Sequence, residues 1–208
     1  MKALVVYLTL GVLPVLGGSR QAPTIRLYTQ FQQDPPETVL ESVQEELENI
    51  LEPLGLGFEW RSLVLNRGNE VSTELAVIHF KGNCDISDLE AADAFPGPLG
   101  WTHISDGEIL PFSDVNCDGI RLFLQRDLLK LPEKGRPAAY GRAIARVVAH
   151  ELYHIFAKTT KHGARGLGKA AYSAQELLRT RFEFEKRESD VLRAHHLRLV
   201  GASSNPGQ

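Results

Sequence analysis

The chain has 208 residues, 43% of them hydrophobic and 24% charged, with a formal net charge of −3 at pH 7. That is enough apolar material for one globular domain with a sizeable core. The scattered basic residues exclude an electrostatic case for nucleic-acid binding, and the absence of repeats and low-complexity linkers points to one domain; a monomer is expected.

At the amino terminus, residues 1–19 combine Lys2, an apolar stretch from Ala3 to Leu16, and Gly17-Gly18-Ser19. One positive charge, a short apolar core and small residues are the three parts of a secretory signal, and the run is too short for a comfortable membrane span. The expectation is export to an extracellular or periplasmic space with cleavage near Ser19. A folded domain over 20–200, a flexible tail over 201–208 and no stable membrane insertion of the mature chain complete it.

Ile25 to Thr29 and Phe58 to Leu65 read as strands on either side of a helix from Pro36 to Leu51, whose Val39, Val43, Leu47, Ile50 and Leu51 form one apolar stripe. Leu75 to Phe80, Leu99 to Ile104 and Ile120 to Leu124 add three strand candidates, with a turn at Asp106-Gly107. Cys84 and Cys117 allow a single intrachain disulfide, in keeping with an oxidising destination. Asp114 to Gly119 begins like a calcium-binding EF-hand loop. Its twelfth position holds Gln125 in place of a bidentate glutamate, so an ordinary turn before a strand is expected.

Pro137 suits the first turn of a helix, and Ala138 to Ala157 contains no proline and one glycine, Gly141. Ile144, Val148, Leu152 and Ile155 recur at helical spacing as its buried stripe. Late in this helix stands His150-Glu151-Leu152-Tyr153-His154. Positions i and i+4 lie above one another on a helix, so both imidazoles reach one metal ion with Glu151 beside it. Neutral imidazoles bind Zn²⁺ well, and an unligated carboxylate there takes a proton from a metal-activated water. Glu151 is therefore the candidate general base.

A catalytic zinc normally keeps three protein ligands and one open position. The threonines and the glycine after Ala157 predict that the helix stops before His162, which then folds back toward the metal through a turn over Gly163 to Gly168. Glu176 is the alternative third ligand, although Ser173-x-x-Glu176 also has the spacing of a capping box. Ser173 to Val200 reads as a carboxy-terminal helix with room for interruptions. His195 and His196 near its end read as solvated.

The helix, the His-Glu-x-x-His motif and the close-following third histidine resemble the zincin metallopeptidases, and among them the metzincins. The metzincin pattern is His-Glu-x-x-His-x-x-Gly-x-x-His. Here its glycine position holds Ala157, its third-histidine position holds Thr160, and His162 comes two residues later. The only methionine is Met1, so the methionine turn of that clan is missing, and the chain resembles a divergent branch. The resemblance implies an α+β fold: a mixed, twisted β-sheet packed with an active-site helix and a small helical carboxy-terminal subdomain. It makes Leu99 to His103 the sheet edge that pairs with extended substrate, with Trp101 and His103 in reach of it. It also offers Tyr172 as a stabiliser of the oxyanion. The function implied is secreted, zinc-dependent hydrolysis of a peptide or protein substrate. A non-catalytic exported protein that keeps the zinc fold for binding, and a zinc hydrolase of non-peptide amides, are the alternatives.

Overall fold

The period-two burial of the first strand decides which way the sheet faces. β1 (Ile25–Gln33) buries Ile25 and Leu27, and β3 (Leu75–Asn83) buries Ala76, Ile78 and Phe80, all toward one layer of helices. The molecule is described here by a computed structural model over residues 24–65, 74–87, 89 and 97–203, so the signal expected over 1–19 lies outside the described residues. With β2 (Phe58–Ser62), β4 (Gly100–Ser105) and β5 (Glu108–Asn116) the sheet has the order β2-β1-β3-β5-β4. Neighbours are parallel except at one edge, where β4 runs antiparallel to β5. The segment expected at the sheet edge is therefore at the edge.

Three helices, α1 (Glu37–Leu51), α2 (Cys117–Leu128) and α3 (Arg136–Ala157), share a single apolar core with the strands. α1 buries the stripe read from its sequence, and α3 is enclosed along most of its length. At Gly141 a β-carbon would lie 2.6 Å from the carbonyl oxygen of Val39, so α1 and α3 approach this closely only because residue 141 has no side chain.

Two sequence expectations are corrected by this architecture. Ile120 to Leu124 is helical, within α2: the Asn116 side chain accepts the Gly119 N–H at 2.9 Å as an N-cap, and Ile120, Leu124 and Leu128 are buried at four-residue spacing. The fifth strand is instead β5, which contains Pro111. The proline is tolerated because pairing with β3 begins only at Phe112, so no ladder bond to β3 needs its missing N–H. Asp114 to Gly119 is thus a strand end running into a helix and not a loop.

The carboxy-terminal region is interrupted. A short α4 (Ala174–Leu177) and α5 (Lys186–Ser203) flank a non-helical stretch, and α5 runs past Val200 into the expected tail because no proline intervenes before Pro206. His195 is buried against Phe156, with ring centroids 5.1 Å apart, where solvation was expected. The signal for this was present: Glu188, Leu192, His195 and Leu199 are the buried face of α5 at helical spacing. No helix among the described residues is long and apolar enough to cross a membrane.

Cys84 and Cys117 form a disulfide, their Cα atoms 4.9 Å apart and 33 residues apart in sequence, tying the end of β3 to the start of α2. Replacing both cysteines by alanine is expected to lower stability by about 3–4 kcal/mol through the freed loop entropy of the unfolded chain. Urea unfolding checks this, and a loss well below about 1 kcal/mol would show that the closed loop is ordered without the bond.

Candidate metal centre

His150 and His154 rise one turn apart on α3, and their Nε2 atoms lie 3.0 Å from each other. Each ring is held from behind by a backbone carbonyl: His150 Nδ1 donates to Leu167 O at 2.7 Å and His154 Nδ1 to Thr159 O at 2.6 Å. A carbonyl only accepts, so both Nδ1 atoms carry the ring proton, and in neutral imidazoles both Nε2 atoms are bare lone pairs. Two lone pairs facing at 3.0 Å repel unless a cation lies between them or nearby. Burial also keeps these rings neutral, pushing the His150 pKa down to about 4 and lowering that of His154.

The third histidine arrives from the loop after α3. That helix ends where Lys158 adopts the left-handed conformation, φ 48°, and its N–H bonds back to His154 O. The helix runs through Ala157 and turns at Lys158, and Thr159 to Lys161 carry the chain on to His162. Gly163 N–H donates to Gly168 O at 2.7 Å and closes the loop. The ligand atoms of His150, His154 and His162 all lie within 4.8 Å of one another, and among the described residues this is the one such group of metal-ligating side chains.

Glu151 sits beside this cluster, buried, with its Oε2 accepting a hydrogen bond from Thr102 Oγ1 at 2.7 Å. Burial raises its pKa to about 7, and the Thr102 bond works against that rise. The edge strand comes this near because of Gly100, where a β-carbon would lie 2.9 Å from Glu151 Oε1 and 2.8 Å from Val147 Cγ1. A cleft of about 270 Å³ opens here, walled by Trp101, Ile104 and Ile109 on one side and the three histidines on the other.

The remaining candidates are placed elsewhere. Glu176 completes the capping box with Ser173 and accepts both hydrogen bonds of the Lys169 ammonium at 2.6 Å, which holds its carboxyl at about 2. It does not join the histidine group. The Tyr172 hydroxyl lies 2.7 Å from His150 Nδ1 and donates to Leu167 O, so it faces the ring edge opposite Nε2. His103 pairs with the buried Asp114 at 2.7 Å and does not line the cleft, whereas Trp101 does.

Sequence reasoning missed the carbonyls of Leu167 and Thr159, for which no side-chain signal exists. It also missed Thr102. Strand alternation puts Thr102 on the face of Gly100, and that was a usable signal.

No protein-family model matches this chain, and no curated protein matches it. Among solved structures it is similar to the crystal structure of archaemetzincin from Methanopyrus kandleri, with a TM-score of 0.50 at 15% identity, over 85% of this chain and 97% of that one. The two share a fold: a five-stranded mixed sheet with helices, as the resemblance implied.

Proposed function

We propose that this chain is an exported, single-domain zinc-dependent peptidase. The observation that carries the proposal is the convergence of three histidine ligand atoms within 4.8 Å, two of them unprotonated lone pairs at 3.0 Å, beside a buried carboxylate. Three imidazoles with one open position suit a catalytic zinc, and a purely structural site has no use for Glu151. The likeness in fold to a protein named as a metzincin supports the reading, and the disulfide supports an oxidising destination.

His150, His154 and His162 would hold the ion, with Leu167 O and Thr159 O fixing the tautomer and orientation of the first two rings. Bound zinc supplies Lewis acidity, lowering the pKa of water and polarising a carbonyl. Glu151 removes the water proton and delivers it to the leaving amine, for which a carboxyl titrating near neutrality is well matched. β4, antiparallel and at the sheet edge, offers its main chain to an extended peptide across the cleft. Tyr172 reaches the oxyanion only by leaving Leu167 O. In its present place it steadies His150, and unchanged turnover in Tyr172→Phe would remove it from the chemistry.

The test is metal content by elemental analysis of wild type, His162→Ala and Glu176→Ala. About one zinc per chain is expected in wild type and Glu176→Ala, with loss in His162→Ala. Wild type free of zinc after controlled reloading overturns the proposal.

A further inference from the structure

We infer that Thr102 and Ser113 form a hydroxyl relay that positions the Glu151 carboxylate for proton transfer, an inference that rests on the peptidase reading above. Ser113 is 2% exposed and points from β5 into the layer between sheet and helices, beside Val115. A hydroxyl buried there is costly unless bonded, and its partner is Thr102 Oγ1 at 2.9 Å, on the residue paired with it across the strands.

The direction of the relay follows from counting protons. In the ionised form that can act as a base the carboxylate only accepts, so the Thr102 hydroxyl proton then goes to Glu151 Oε2 at 2.7 Å, and Thr102 accepts from Ser113. Each hydroxyl proton thereby has an acceptor, and the chain of bonds ends on one oxygen of Glu151. Oε2 is tethered to the edge strand, while Oε1 lies over Gly100, where no side chain competes for the space. A carboxylate on a flexible side chain is thus held to one orientation.

The backbone supports the same geometry. The β4–β5 register is regular through Thr102↔Ser113 and shifts only between Thr102 and Ile104. The bulge therefore falls just past the residue whose hydroxyl must stay in place. Thr102 lines the cleft and Ser113 lies behind it, and both hydroxyls act through Glu151, as positioning residues.

The test compares Thr102→Val, which keeps shape and removes the hydroxyl, with Thr102→Ser, which keeps the hydroxyl. A pool of fluorogenic peptides cleaved by the zinc-loaded wild type is the substrate. Thr102→Val is expected to lose roughly 10- to 100-fold in kcat with KM and zinc content little changed, as misplacing a catalytic group does. Thr102→Ser should stay within roughly threefold of wild type, and Ser113→Ala should fall between the two. Equal losses in the valine and serine variants, or a loss confined to KM, overturn the relay.

A second readout does not depend on turnover. In crystal structures of the metal-free proteins, the Glu151 carboxylate should leave β4 in Thr102→Val and remain bonded in Thr102→Ser. A carboxylate that stays put in Thr102→Val overturns the inference. If the wild type cleaves no peptide with zinc, the peptidase reading fails, and the crystallographic comparison still decides whether Thr102 orients Glu151.

Discussion

Glu151→Gln is expected to lower peptide turnover by about 10²–10⁴-fold, the usual contribution of a general base, while zinc content stays at the wild-type level. Glutamine keeps the shape and can still accept the Thr102 hydrogen bond, so the cleft survives and only the proton acceptor is lost. The same substitution has an opposite effect on stability in the metal-free protein. The Glu151 pKa is about 7 in the fold, raised by burial, so the native state holds this proton more tightly than the unfolded chain does. Its contribution is fully present below the unfolded carboxyl pKa of about 4.3 and is lost as pH rises through about 7. At pH 8 the ionised buried carboxylate therefore costs the wild type about 3 kcal/mol relative to a neutral group. Metal-free Glu151→Gln should resist urea better than wild type at pH 8 and equal it near pH 4. Parallel stability-versus-pH curves for the two proteins would show that the carboxylate is not desolvated as described, and loss of zinc with activity would make Glu151 a structural residue.

Arg146→Leu is expected to cost about 3–5 kcal/mol, because it leaves a buried carboxylate without its counter-charge. The Arg146 side chain is fully buried and meets Glu46 of α1 through Nε and Nη2, both at 2.7 Å. Its Nη1 also donates to Leu177 O at 2.8 Å. One guanidinium thus joins α1, α3 and the end of α4. It also satisfies a carbonyl in the last turn of α4 that the ended helix leaves without an amide partner of its own. The double replacement Arg146→Leu with Glu46→Leu should recover much of the loss, because a buried ion pair replaced as a unit is close to neutral. Urea unfolding of the two variants decides the matter, and a single-variant loss under about 1 kcal/mol would mean that water reaches the pair. The effect should extend to the metal centre. Leu167 N–H bonds to Glu183 O in the segment that follows α4, and Leu167 O holds His150, so loosening that segment should weaken zinc binding as well.

Much of this molecule was legible from periodicity. α1 and α3 were readable because their buried residues recur at three and four positions, and β1 and β3 because theirs form short apolar runs bounded by turn residues. The capping box at Ser173 and Glu176 was readable because it is closed within four residues. The α2 segment was misread as a strand because Ile120 to Leu124 is a β-like run, and the N-cap at Asn116 that starts the helix was passed over. β5 was missed because Pro111 argues against a strand unless it is known that β3 pairs only from Phe112 onward.

What the sequence by itself determined is the spacing of His150, Glu151 and His154, since a helix of fixed pitch places i and i+4 on one face whatever surrounds it. Only the tertiary structure decided which groups meet there. That His162 and not Glu176 joins the two helical histidines depends on a turn at Lys158 and on Lys169 engaging Glu176. The proton positions on the two rings depend on carbonyls of Thr159 and Leu167, which every residue type possesses and only a folded chain aims. The orientation of Glu151 depends on Thr102, 49 residues away. Local geometry is written in side-chain identity over a few residues, whereas these contacts are made across loops by backbone groups and edge strands, whose meeting is a property of the packed core.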